Sequence, residues 1–332
     1  MNLSKRERLA KTIAGEVTDR APVALWRHFP GDDQRPADFV ESMLAFQRQY
    51  DWDFIKVTPA SSYCLADYGA QDEWAGNPEG TRQYTRRVIT RSADWLDLRP
   101  LDPLRGALGQ QVEALRLLRD GLAGEDVPFI QTIFSPLAQA KNLVGKENLV
   151  VHLRTAPERV RTGLNTLTES ILRFLDVLDQ RTKVSGIFYA AQMATYADLT
   201  EAEYREFGRP YDLRILEALP RHWWLNVLHI HGASPMFNLF ADYPVQVLNW
   251  HDRESETDLA TGKLKFKGAV CGGLGQHRPL HLGAPVEVRE QARDALTQTS
   301  SRRFILSTGC VSMVTTPLAN LRAARTAVER RG

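Results

Sequence analysis

Cysteine is scarce in this chain. Cys64, Cys271 and Cys310 are the three in 332 residues, and no CxxC pair occurs. Such sparse spacing excludes a disulfide framework. Charge of one sign is lacking as well: 42 Lys+Arg stand against 40 Asp+Glu, a net charge of +2. That balance gives no reason to expect nucleic acid or an anionic membrane as partner. No window approaches the ~18 apolar residues of a membrane span. The opening MNLSKRERLAKTIAGE has no apolar signal core and reads instead as a helix, with Ser4 and Glu7 spaced as a capping box. A cytoplasmic protein is the expectation. Repeats, low-complexity tracts and linkers are also missing, so residues 1–332 are expected to form one domain.

What is present is a series of eight short apolar runs, at 21–26, 53–59, 128–136, 185–191, 225–232, 245–251, 266–275 and 304–311. Near-continuous apolar runs of this length suit a parallel sheet covered on both faces. Amphipathic helical stretches lie between most of them, at 37–50, 102–122, 137–143, 157–178, 201–218, 286–298 and 317–330. Eight alternations in one chain predict an α/β fold, a single (β/α)8 TIM-type barrel with an N-terminal helix. An open doubly wound sheet is the alternative, but no GxGxxG turn follows the first run. The long segment between runs two and three contains GTRQYTRRVITRS, which alternates like an exposed hairpin and is expected to be an excursion near the mouth. Connections after runs five and six are short, so brief or irregular helices are expected there.

In such barrels the chemistry lies at the C-terminal ends of the strands. Those ends read Arg27 and His28, Lys56 and Thr58, Ser135, Tyr189 and Gln192, His229 and His231, Asn249 to Asp252, Cys271, and Cys310. His229 and His231 sit two apart, so both side chains point to one face of a strand. Two imidazoles on an inward face form half a metal site, and the last strand brings Cys310 towards them. A His₂Cys set leaves a fourth position for water or substrate, as catalytic zinc requires. The pattern alone more often means a satisfied core histidine, a loop-capping His231 and a small buried Cys310, because three-ligand catalytic sites are rare relative to buried histidines.

Arg27 suits a carboxylate or phosphate clamp, because its planar fork bonds both oxygens, and equally a salt bridge to Asp32 or Asp33. Lys56 inside a strand is costly to bury unpaired, so it faces the cavity or pairs with a carboxylate such as Asp252. Arg27, His28, Lys56 and Asp252 are therefore the candidate catalytic residues. Ser135, Tyr189, Gln192 and Asn249 are the candidate substrate-binding residues by position. The glycines of CGGLGQ (271–276) resemble a phosphate cradle only loosely, and close packing at the barrel end explains them as well.

The segments TDRAPVALWR, FSPLAQAKNLVG, FGRPYDLRILEAL and FILSTGCVSMVTTPLANLRAARTAVE together resemble the uroporphyrinogen decarboxylase superfamily. The likeness runs from Arg20 to Ala327 and implies a (β/α)8 barrel. True decarboxylases of that superfamily act on a tetrapyrrole without a cofactor and carry a PVWxMRQAGRY motif. Residues Pro22 to Arg27 match its first arginine, while His28-Phe-Pro-Gly-Asp replaces the rest. The decarboxylases' aspartate falls near Ala60, their tyrosine on Asn142 and their histidine on Cys310, which argues against that activity. The other branch, cobalamin-dependent methyltransferases acting on thiols, binds zinc through HxCG after strand five and GC after strand eight. His229-Ile-His-Gly232 resembles the first with histidine in place of cysteine, and Gly309-Cys310 resembles the second. The resemblance implies zinc on His229, His231 and Cys310, a small-molecule thiol acceptor, a corrinoid as co-substrate delivered free or on a corrinoid protein, and a homodimer. His251 or Asp252 is then expected to support a ligating imidazole from behind. A decarboxylating lyase with Arg27 as carboxylate anchor is the second expectation. A non-catalytic corrinoid- or tetrapyrrole-binding protein is the third.

Overall fold

The computed structural model describes residues 3–329. Its core is a curled sheet of seven parallel strands. In chain order the strands are β1 (Ile55–Val57), β2 (Gln71–Glu73), β3 (Gln83–Arg86), β4 (Phe129–Phe134), β5 (Ile187–Ala191), β6 (Val227–Ile230), β7 (Val247–Trp250), β8 (Ala269–Leu274) and β9 (Phe304–Thr308). The parallel sheet runs β1-β4-β5-β6-β7-β8-β9, and β2 pairs antiparallel with β3 outside it. Seven of the eight apolar runs thus become sheet strands, all buried, with burial unbroken along β4, β5, β6, β7, β8 and β9.

The first run, 21–26, departs from expectation. It is extended but makes a single parallel bridge, Val23 to Leu306. Ala24 donates to the Leu306 carbonyl at 3.1 Å and Leu306 to that of Pro22 at 2.9 Å, while Asp53 donates to the Val23 carbonyl at 2.9 Å. The segment therefore lies between β9 and β1 without forming an eighth strand of the ladder. The buried carboxylate of Asp53 holds it there, accepting from the Val23 amide at 2.7 Å and from Arg8 and Arg20 at 2.7 and 2.6 Å. Arg8 belongs to the N-terminal helix Lys5–Ala14, whose capping box joins Ser4 and Glu7 as the sequence predicts. One buried acid thus ties this helix, the first run and the entry to β1 together.

Helices cover the outside of the sheet at Pro36–Tyr50, Gly106–Gly121, Pro136–Val144, Pro157–Arg181, Pro285–Thr299 and Leu318–Thr326. The expected helix over 201–218 is broken at Gly208 into Glu201–Phe207 and Arg209–Leu216. A Cβ at Gly208 would lie 2.6 Å from the Tyr204 ring, so close packing explains the glycine. The expected helix over 317–330 ends at Thr326, and Arg330 lies outside the described residues. One helix was not expected, Lys146–Thr155. It starts directly after Gly145, whose φ of 91° turns the chain sharply out of the preceding helix. After β6 and β7 the connections are brief, a 3-10 turn at Phe237–Phe240 and the seven-residue Leu259–Lys265. No helix among the described residues is long and apolar enough to cross a membrane.

The excursion folds back over the mouth of the sheet. Arg82 reaches from the start of β3 to Asp72 on β2 at 2.7 Å and to Asp33 after the first run at 3.5 Å. At the turn, Gly80 has a φ of 77°, and a Cβ there would meet the Cβ of His28 at 2.5 Å. Only glycine lets the loop descend this far, which brings Glu79 to the cavity rim.

Candidate metal centre

A cavity with about 600 Å³ of empty space, open solvent included, lies at the C-terminal ends of the strands. Strand alternation decides which residues reach it. From the first run Trp26 and His28 line it; from β1 and its exit, Lys56 and Thr58; from β5 and its exit, Phe188, Ala190 and Gln192. His229, His231 and Cys310 line it too.

The donors come together through register. β6 and β7 are parallel neighbours with His229 opposite Asn249 and Ile230 opposite Trp250. Two residues further along, the same offset sets His231 beside His251, with ring centroids 5.1 Å apart. His229 lies 5.7 Å from His231 and 5.8 Å from His251 by the same measure. Cys310 arrives from the end of β9. Its predecessor Gly309 packs directly on the end of β7: a Cβ there would sit 2.8 Å from both the His251 Cα and the Trp250 carbonyl oxygen. Removing a side chain at that position is what allows sulfur and imidazoles to meet. The candidate ligand atoms of His229, His231, His251 and Cys310 all lie within 4.8 Å of one another.

The hydrogen bonds behind the rings fix which nitrogens face inward. Asn249 donates through its amide nitrogen to the carbonyls of Cys271 and Thr308, at 2.8 and 3.0 Å. Its Oδ1 is therefore the acceptor facing His229 Nδ1 at 2.7 Å, so that nitrogen carries the proton. The Nε2 lone pair of His229 is left free for a metal. His251 contacts the Glu254 carboxylate through Nδ1 at 3.3 Å, and its buried Nε2 has no hydrogen-bond partner among the described residues.

Electrostatics agree with ligand duty. Burial, reinforced by the neighbouring imidazoles, drives the His229 pKa well below its ordinary value. Burial and His251 take His231 down to about 3, although it is the most exposed of the four, and burial lowers His251 too. All three rings are neutral at neutral pH, as metal ligands must be. Burial pushes the Cys310 thiol up to about 11, so it keeps its proton until a cation displaces it.

The remaining candidates divide sharply. Lys56 and Gln192 reach the cavity; Lys56 Nζ stands 4.6 Å over the Phe188 ring with its pKa lowered by burial to about 7, and Gln192 accepts from Lys141 Nζ at 2.6 Å. His28 also reaches it, buried, with its pKa lowered to about 3 by desolvation and nearby Lys56. Arg27 does not. Lying between Trp26 and His28, it points to the other face, where it stacks over Phe29 and Phe46 and donates to the Val314 carbonyl at 3.0 Å. Tyr189 is turned away by the same alternation and donates to Asp212 at 2.6 Å, an acid that also accepts from Tyr204 and Tyr243. Ser135 is the N-cap of Pro136–Val144, accepting from the Ala138 amide at 3.2 Å. Asp252 accepts from the Gly273 amide at 3.1 Å through both oxygens, and desolvation lifts its pKa to about 7. It pairs neither with Lys56 nor with an imidazole. A Cβ at Gly272 would come within 2.3 Å of Asp252, so packing accounts for the CGGLGQ glycines. Asn249 lies behind His229, while His251 stands within the cluster beside His229 and His231 rather than behind them. Glu79, not singled out from sequence, lines the cavity and accepts from Gln276 at 3.2 Å.

The uroporphyrinogen decarboxylase (URO-D) family model matches residues 4–331. The chain belongs to that family. A methyltransferase from Methanosarcina mazei superposes on it with a TM-score of 0.86 at 18% identity, covering 98% of each chain. A B12-independent methionine synthase from Shewanella sp. W3-18-1, in complex with selenomethionine, gives a TM-score of 0.58 at 13% identity, covering 93% of this chain and 92% of that one. At such identities the likeness shows the fold. Comparison with curated proteins finds no match.

Proposed function

We propose that this URO-D family member is a zinc-dependent, methyltransferase-like enzyme that moves a methyl group between a corrinoid and a small thiol. The observation that carries the reading is the convergence of three imidazoles and one thiol within 4.8 Å at the cavity wall. The donor chemistry fits zinc, which takes nitrogen and sulfur ligands together. The fit is supported by the buried, partnerless Nε2 of His251, which an apolar or water-free packing would leave unsatisfied. His229, His231 and Cys310 would hold the ion, with His251 as the fourth donor. Zinc so held supplies a lowered thiol pKa, making thiolate available at neutral pH.

The protein's own groups do the rest. Asn249 sets the tautomer and ring plane of His229 through its 2.7 Å contact. His251 is held more loosely, by one 3.3 Å contact to a Glu254 side chain that is 40% exposed, so it is the group that would make way for an acceptor thiol. Phe188 stacks against His229 at 5.4 Å, forming an apolar floor that keeps water from that side of the thiol. Glu79, at the rim, is placed to take the proton that the acceptor thiol loses. The corrinoid would present its methyl group from above the mouth, free or on a partner protein. The Methanosarcina mazei neighbour is named a methyltransferase, which supports the reaction class for this chain, and the Shewanella neighbour is named a B12-independent methionine synthase.

The decarboxylase reading loses its anchor, since Arg27 faces away from the cavity. A purely corrinoid-binding protein gives no reason to assemble four donors. The deciding assay incubates the zinc-loaded and chelator-stripped protein with methylcobalamin and a small thiol. Methylthioether formation that requires zinc supports the proposal. Its absence, with release of CO₂ from a tetrapyrrole carboxylate instead, overturns it.

A further inference from the structure

A second cavity lies in the helical layer outside the sheet, away from the donor cluster. It too has about 600 Å³ of empty space, open solvent included, and sits between the helices Pro36–Tyr50 and Gly106–Gly121 and the loop that follows β1. Strand alternation places it on the far face of β4: Thr132 lines the first cavity, so its neighbour Gln131 points outward to the helices. There Gln131 meets Gln111, which lines the second cavity. Among the described residues Pro59 alone lines both.

Two acceptors in this second wall lack a donor. Gln131 donates from Nε2 to the Thr132 carbonyl at 2.8 Å and accepts at Oε1 from Gln111 Nε2 at 2.8 Å. This chain commits the Gln111 nitrogen inward, and the Gln111 Oε1 accepts no hydrogen bond among the described residues, although the residue is only 5% exposed. The second acceptor is Asp33, whose side chain is 0% exposed. Gln34 donates to its Oδ1 at 2.7 Å, while its Oδ2 has no partner among the described residues. Arg82 stands 3.5 Å from Oδ1 but is held closer by Asp72, at 2.7 Å. One guanidinium thus serves two buried carboxylates and leaves one negative charge over, which is costly without a further cation. Buried acceptors without partners call for a water, an ion or a ligand. The rest of the wall is small and apolar, with Pro36, Ala60, Ala107 and Ala114. An apolar slot with a few polar groups is how small-ligand sites are built.

We propose that this second cavity binds a small organic cation, a primary ammonium whose N–H groups donate to the Asp33 carboxylate and the Gln111 side-chain carbonyl. An ammonium has three donors and no acceptor, which suits two acceptors that lack partners. Its charge neutralises the surplus carboxylate, and its hydrocarbon part fills the slot between the alanines. A neutral alcohol supplies one donor and no charge, and an anion is repelled by Asp33. The site is independent of the metal reading, since none of the four donors lines it.

Methyl NMR of protein labelled at its alanine methyl groups, titrated with benzylammonium and with neutral benzyl alcohol, tests this. Ala107 and Ala114 report on the second cavity and Ala190 on the first. Benzylammonium is expected to shift Ala107 and Ala114 saturably and leave Ala190 in place. It is expected to bind about tenfold more tightly than the alcohol or better, as a charge-assisted contact provides. Asp33→Asn is expected to erase that preference and leave the alcohol's affinity unchanged. Ala107→Phe, which fills the slot without removing either acceptor, is expected to abolish binding of both compounds. Should Asp33→Asn fail to fold, the wild-type comparison of the two compounds decides alone. The proposal is overturned by unmoved Ala107 and Ala114, by movement of Ala190 in their place, or by equal affinity for the two compounds. A preference that survives Asp33→Asn, or binding that survives Ala107→Phe, overturns it as well.

Discussion

Asn249 Oδ1 accepts from His229 Nδ1 at 2.7 Å because both amide hydrogens of Asn249 are committed to the carbonyls of Cys271 and Thr308. One side chain thus joins β7, β8 and β9 to the cavity-facing ring of His229 on β6. Asn249→Ala should weaken zinc binding by about 10–100-fold, the usual effect of losing such a supporting partner. It should also cost about 1–3 kcal/mol of stability, because two buried carbonyls lose their donor. Zinc competition titration and denaturant melts measure the two separately; unchanged zinc affinity would contradict the assigned tautomer.

Gly309 offers a steric test. Its missing Cβ would lie 2.8 Å from backbone atoms of both Trp250 and His251, which cannot rotate away. Gly309→Ala should push Cys310 from the imidazoles, reduce zinc affinity at least tenfold, and cost about 1–3 kcal/mol through overpacking. Zinc binding equal to wild type would show that the close approach is dispensable.

Metal uptake should follow a simple pH law. The Cys310 thiol, raised to about 11, is protonated in the free protein, whereas His231, lowered to about 3, and His229 and His251, also lowered, are not. Zinc binding between roughly pH 7 and 9 should therefore release about one proton, and log K should rise by about one per pH unit. With imidazoles at their ordinary value, the proton count would already climb above one as the pH falls to roughly 6.5. Buffer-dependent calorimetry reads the proton count, and a count well above one at pH 7 would contradict the neutral rings.

Tyr189 is expected to matter for folding alone. Asp212 is fully buried and accepts from three phenols. Tyr189→Phe should lower stability by about 1–3 kcal/mol through the lost hydrogen bond, leaving zinc stoichiometry unchanged. A loss of zinc with no loss of stability would place Tyr189 at the centre after all.

The strand pattern was legible because buried parallel strands are apolar throughout, and seven of the eight runs are strands. The first run was not distinguishable from a strand: its extended backbone is held by Asp53 and Leu306 through a few hydrogen bonds, which composition does not encode. His229, His231 and Cys310 were readable from spacing and resemblance. His251 as a member of the cluster was missed, although a signal exists: Val227-Leu-His-Ile-His231 and Val247-Leu-Asn-Trp-His251 share a V-L-x-x-H pattern that parallel register turns into adjacent histidines. Arg27 and Tyr189 were placed at the mouth by strand order alone. Alternation, taken from Trp26 and Phe188 on the cavity side, sends both outward. Ser135 before Pro136 carried an N-cap signal that outweighs its position at a strand end.

Elemental analysis of the purified protein tests the central claim most directly, with His231→Ala and Cys310→Ala alongside. About one zinc per wild-type chain, lost in both folded variants, is the result the donor cluster predicts. Wild-type protein that remains metal-free in the presence of zinc, or variants that keep full zinc, would contradict it.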